Sequence, residues 1–177
     1  MVLGGLLLLL CLGCGGDGPE AEHFAVFHLE TSIGRPGEHG ELRCGPPRIV
    51  CPGVVPQPPP RTFRYRVRAR PALDDDDVFA STARRATDPG TGTPLVVVEL
   101  TVRGRAVFAR LTKRAARVGG RDQTWHHIAI VVGDEIVAFP AIDFDDHPDG
   151  IPHARAIEIP AVDDADARQL VRRLRGE

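Results

Sequence analysis

Hydrophobic and polar positions follow their clearest pattern in the second half of the chain. Residues 95–101, Leu-Val-Val-Val-Glu-Leu-Thr, are rich in β-branched side chains, which predicts a strand with a buried face. The period then lengthens. Val107, Phe108, Leu111, Ala115 and Val118 recur at spacings that line one face of a helix over 104–118. Thr101 or a neighbour can cap its start, and Gly119-Gly120 is the expected stop. Residues 127–132 and 135–139 flank Gly133-Asp134 and read as a hairpin. After an acidic loop, 154–159 alternates as a short strand. Ala167, Leu170, Val171 and Leu174 then mark a last helix over 163–175, with acids in its first turn and arginines in its last, as the helix dipole favours. Phe108 and Leu111 are expected to face a sheet containing Ile128, Ile130 and Val137.

The first half is less regular. Residues 24–30 suit a first strand, whereas 32–60 are dense in Gly and Pro and read as a long loop. That loop ends in Pro56-Gln57-Pro58-Pro59-Pro60, a stiff spacer or a Pro-rich ligand. Phe63, Tyr65, Val67 and Ala69 alternate with Arg64, Arg66, Arg68 and Arg70, so 63–70 reads as a half-buried strand with a guanidinium row on its wet face. Such a row could hold a phosphate backbone, but it lacks interleaved stacking aromatics on that face; the reading adopted is a solvated face balanced by the acids 74–77, with no nucleic-acid partner. Residues 78–86 read as a short helix before the turn Asp88-Pro89-Gly90. The elements sum to an α+β fold, a mainly antiparallel sheet with two helices packed on one face. The alternative is a sandwich-like amino-terminal half packed on a smaller α+β half.

Glu99-Leu100-Thr101, Gly104, Phe108 and Leu111-Thr112 are followed by His127-Ile128-Ala129-Ile130-Val131, Asp134, Ile136-Val137, Pro140 and Ile142, and then by Ala165, Leu170 and Leu174-Arg175-Gly176. In this order and spacing they resemble the head subdomain of the first extracytoplasmic domain of the SecD family, the membrane subunit that assists the Sec translocon. The resemblance covers 95–177. It departs from the family at Glu158-Ile159-Pro160, where a glycine-containing strand end is usual.

The amino terminus changes the picture of where the chain works. Residues 2–13 are apolar and too short to span a bilayer as a helix, so they read as a signal-peptide core. Leu12-Gly13-Cys14 is close to a bacterial lipobox, which assigns lipidation to Cys14; a signal peptide cut nearby without lipid is the other reading. The organisation is then a signal peptide at 1–14, a flexible tether at 15–23, an amino-terminal strand and Pro/Gly-rich region at 24–94, and the head-like region at 95–177. Cys44 and Cys51 remain in an exported chain, separated by a Pro-bearing turn, and are expected to form a disulfide; two cysteines alone do not complete a zinc site. The net charge is −2, so no whole-protein field gathers nucleic acid or acidic membrane.

Candidate catalytic and metal groups are sparse. The chain carries no Gly-x-Ser-x-Gly, no phosphate-cradling glycine loop and no His-Glu-x-x-His, so it is not expected to be an enzyme or to need a cofactor. The loop 143–150 offers Asp143, Asp145, Asp146 and Asp149 and ends in Gly150. A calcium loop counted from Asp145 would nevertheless place His147 and Ala156 where oxygen ligands are required. His126 and His127 read as a strand entry, one ring out and one in, and with His147 and His153 form at most a weak transition-metal candidate. No metal site is assigned. The resemblance implies a non-enzymatic module, anchored by lipid on the extracytoplasmic face of a bacterial membrane, that engages unfolded exported polypeptide or the Sec translocon. The strand at 154–159 or the one at 63–70 would supply a sheet edge for the polypeptide. The alternative is an envelope lipoprotein using the same fold for another partner or a small ligand, unrelated to export.

Overall fold

The computed structural model describes residues 20–32, 54–56, 64–68, 70–122 and 126–177. Among them the chain forms β1 (Phe24–Ser32), β2 (Val54–Pro56), β3 (Arg64–Val67), a 3-10 turn (Asp75–Asp77), β4 (Val78–Thr87), β5 (Pro94–Leu100), α1 (Val102–Asp122), β6 (His126–Val132), β7 (Glu135–Ala138), β8 (Ala141–Ile142), β9 (Ala156–Pro160) and α2 (Asp164–Arg175). The fold is α+β with antiparallel pairing. The strands divide between two sheets, one ordered β2-β3-β1-β6-β7 with β8 also on β6, the other ordered β4-β5-β9.

The two sheets and both helices share one core. Val96, Val98 and Leu100 point to the same face of β5, and the register Val96↔Ile159 and Val98↔Ile157 adds two isoleucines of β9 to it. That face meets Ile128, Ile130 and Val132 of β6, Phe108 and Leu111 of α1, and Ala167, Leu170 and Leu174 of α2, with Val137 packed alongside. The expected meeting of Phe108 and Leu111 with the sheet is therefore observed. The opposite face of β6 is buried too, because Ala129 and Val131 join Val67, Ile136 and the tilted pair Tyr65 and Phe139, whose ring centroids are 4.4 Å apart. Burial on both faces explains why β6 is nearly continuous in apolar residues rather than alternating.

Residues 78–86 are a strand, not the helix the sequence suggested. β4 pairs with β5 at Val78↔Leu100 and Phe79↔Glu99, slips, and resumes at Arg84↔Val97. At the slip Thr82 Oγ1 accepts the Glu99 amide at 3.0 Å and donates to the Phe79 carbonyl at 2.6 Å, so a side chain replaces the missing ladder bonds. The bulge breaks the period of two, and long-range pairing overrides the helix preference of the alanines and arginines. The β4–β5 turn is held by Asp88, whose Oδ1 accepts the amides of Gly90 and Thr91, with Gly92 at φ 73°. Those same hydrogen bonds hold the Asp88 carboxyl below its ordinary pKa.

Helix α1 starts at Val102, two residues before the expected 104, and has the expected cap, the Gly104 amide donating to Thr101 Oγ1 at 3.0 Å. Gly104 is required here, since a Cβ would collide with the Asp77 carbonyl. The helix runs through Gly119-Gly120 to Asp122 rather than stopping at 118. Each interior glycine costs about 1 kcal/mol. Buried Ala115, Ala116 and Gly119 offset that cost by letting the helix lie close to Ile142 and Phe144. Helix α2 has the signals read from sequence: Asp163 accepts the amides of Ala165 and Asp166, and Gly176 closes the helix in the left-handed region.

Candidate functional site: a groove along a strand edge

Hydrogen-bond parity on β9 defines an edge. Leu100 N–H donates to the Arg155 carbonyl at 2.8 Å and Ala161 N–H to the Pro94 carbonyl at 2.9 Å, which fixes the residues facing β5 as the odd-numbered ones. The main-chain groups of Ala156 and Glu158 therefore point away from β5, and among the described residues no strand pairs with that side. Pro160 lacks an N–H and limits the outward donors to the first part of the strand.

This edge borders a groove of about 600 Å³. One wall is the segment 154–158; the other is Pro140, Ala141 and Ile142, following the β6–β7 hairpin. Its apolar surface comes from the partly exposed Pro140, Ala141, Ile151 and Ala154, over a floor of the buried core residues Phe108, Ile128, Ile130 and Ile157, while His153, Arg155 and Glu158 give it a polar rim. An apolar trough beside unpaired amides and carbonyls can take an extended peptide, with main-chain hydrogen bonds on one side and side chains in the trough. The other edge proposed from sequence is not one: β3 lies between β2 and β1.

The remaining candidates have structural partners. Asp143 Oδ1 accepts the amides of Asp145 and Asp146, and the loop docks on α1 because Thr112 Oγ1 accepts the Ile151 amide at 2.9 Å and a Cβ at Gly150 would strike the Lys113 backbone. Lys113 Nζ meets Asp149 at 2.8 Å and holds that carboxyl below its usual range. Among the described residues no three His, Cys, Asp or Glu side chains converge as a metal site. His127 Nδ1 lies 3.0 Å from the Phe139 carbonyl, His153 is on the groove rim, and His126 turns inward beside His28.

Two ion-pair clusters carry no local sequence signal. Asp77 is fully buried and meets Arg103 Nε at 3.0 Å, and Arg103 also reaches Asp74 and Asp76, so these three acids tie the 3-10 turn to α1. Arg103 is thus the described partner of Asp74, Asp76 and Asp77, while Asp75 meets His23 Nδ1 at 2.8 Å. Arg173 on α2 donates to both Glu22 oxygens and to the Val132 carbonyl, joining residues separated by 151 and 41 positions. The Glu22 hydrogen bonds raise the Arg173 pKa above its ordinary value. Among the described residues no helix is long and apolar enough to cross a membrane. Cys14, Cys44 and Cys51 lie outside the described residues.

No family model matches this chain, and no curated protein does. Solved structures do. A structure of SecDF, described as a membrane component that enhances protein export, matches 89% of this chain and 64% of its own at 18% identity and TM-score 0.51. A SecDF structure in a super-membrane-facing form matches 88% of this chain and 19% of its own at 19% identity and the same TM-score of 0.51. The chain thus spans less than two thirds of either. At these identities the likeness establishes a SecD-like fold.

Proposed function

We propose that this protein is a non-catalytic binding module of the SecD-head type that takes up unfolded, exported polypeptide along the outer edge of β9. The observation that carries the reading is the pairing of that edge with the apolar groove beside it. Main-chain bonding to Ala156 and Glu158 makes few demands on sequence, and the trough accepts apolar side chains of many shapes. Such binding is weak, because ordering a disordered segment offsets much of the contact energy. The SecD-like fold supports a place next to protein export, with the translocon as a second partner, and lipid on Cys14 would hold the module at the extracytoplasmic face. A Cys44–Cys51 disulfide would close a ring of about eight residues within the segment that links β1 to β2. The competing use of the same groove is a small ligand unconnected with export.

Fluorescence anisotropy with a permanently unfolded model polypeptide and its folded counterpart separates these uses. The unfolded chain should bind and the folded one should not. Glu158→Pro, which removes an outward N–H and no ladder bond, should weaken binding about tenfold, the loss expected for one or two hydrogen bonds. Glu158→Thr should bind as the parent does. Equal binding of folded and unfolded partners removes the proposal.

A further inference from the structure

A second cavity, of about 320 Å³, opens where β1, the end of β3 and the middle of α1 meet. Its polar lining is His28, Arg68, Arg114 and His126, and its apolar lining includes Ala115 and Val118. Four basic groups from four places in the chain converge there. The described carboxylate beside them is Asp122, which stands 3.5 Å from His126 Nε2, and that nitrogen is buried with no hydrogen-bond partner among the described residues. The acceptor this nitrogen faces is the Asp122 carboxylate, at ion-pair distance and without a hydrogen bond.

We propose that His28, Arg68, Arg114 and His126 form a binding site for a phosphate group, carried either by a soluble phosphate or by an anionic lipid headgroup. Two guanidinium forks suit tetrahedral oxyanions, and His126 Nε2 supplies a further donor when protonated or in the Nε2–H tautomer. The charge balance agrees. His28 has its pKa lowered to about 4, first by burial and then by Arg68, Arg114 and His126. A bound anion would reverse the charge part of that shift. Arg114 and Val118 also border a shallow depression on α1 with Arg110 and Arg117, so the positive surface continues toward a flat, multiply charged partner such as a bilayer.

The test uses the full chain, inorganic phosphate at constant ionic strength, and vesicles of phosphatidylcholine with or without phosphatidylglycerol. Calorimetry should show saturable phosphate binding, and NMR should show the His28 midpoint rising from about 4 as the site fills. Arg68→Gln and Arg114→Gln, both at exposed positions, should each weaken binding about tenfold, the loss typical of one charge-assisted hydrogen bond. Arg172→Gln removes the same charge from exposed α2 surface and should have no effect. Phosphate binding with this residue dependence assigns a soluble ligand. Binding only to phosphatidylglycerol vesicles, again lost in Arg68→Gln and Arg114→Gln, assigns a lipid headgroup. Binding to neither, or equal weakening by Arg172→Gln, overturns the site, provided all three variants retain the parent melting temperature.

Discussion

The two edges of the three-stranded sheet are built differently. β4 is bulged, its broken ladder is filled by Thr82, and α2 packs on it, with Arg85 reaching Asp164 at 3.8 Å. β9 keeps an unbroken register with β5 over five residue pairs and faces the groove instead of a helix. A bulge is a common means of closing an edge to other chains, whereas a regular strand beside a groove invites one. A single exposed charge, Glu158, and the terminal Pro160 restrain β9 without covering it. Under the proposed function, β4 would serve stability and β9 binding.

The largest expected effect tests that assignment through the core. Phe108 lines the groove on the β9 side, and Leu170 belongs to the helix packed on β4. Phe108→Ala should cost about 3–5 kcal/mol and Leu170→Ala about 2–5 kcal/mol in chemical denaturation. At temperatures where both variants stay folded, only Phe108→Ala should weaken binding of the unfolded polypeptide. Equal loss of binding in both would make the two edges one functional unit.

A smaller effect is pH-dependent. The lowered His28 pKa means that the unfolded chain binds a proton between about 6.5 and 4 that the folded chain does not. Stability should therefore fall as pH drops through this window, by about 1–2 kcal/mol after allowing for partial exposure. His23 runs the other way: its hydrogen bond to Asp75 raises its pKa, and its contribution is present below pH 6.5 and lost as pH rises through the folded value. Its side chain is 90% exposed, so the His28 slope should dominate, and His28→Gln should flatten it. Denaturation midpoints across that range measure both. His28→Gln should leave polypeptide binding at β9 unchanged.

Much of the fold was legible because it is local. The β-branched run of β5, the Thr101 cap, the Gly133 turn and the Asp163 cap of α2 are all decided within a few residues of one another. β4 was not legible, since its bulge erased the alternation and its identity depends on β5. Gly119-Gly120 misled because their helix is held by packing against Ile142 rather than by propensity. The edge at β9 was visible as a short alternating strand, but its groove joins residues near 108, 128, 141 and 156, which no motif connects. The cationic cavity is similarly scattered over positions 28, 68, 114 and 126. Its only trace in the sequence is the excess of arginine on the polar side of α1.

Hydrogen exchange read at single residues tests the central claim most directly, because it reports on the outward amides themselves. Saturating the protein with an unfolded polypeptide should slow exchange at Ala156 and Glu158 and leave the amides of β4 unchanged. Unchanged exchange at Ala156 and Glu158 while the polypeptide is bound, or equal slowing along β4, would contradict the assignment of binding to β9.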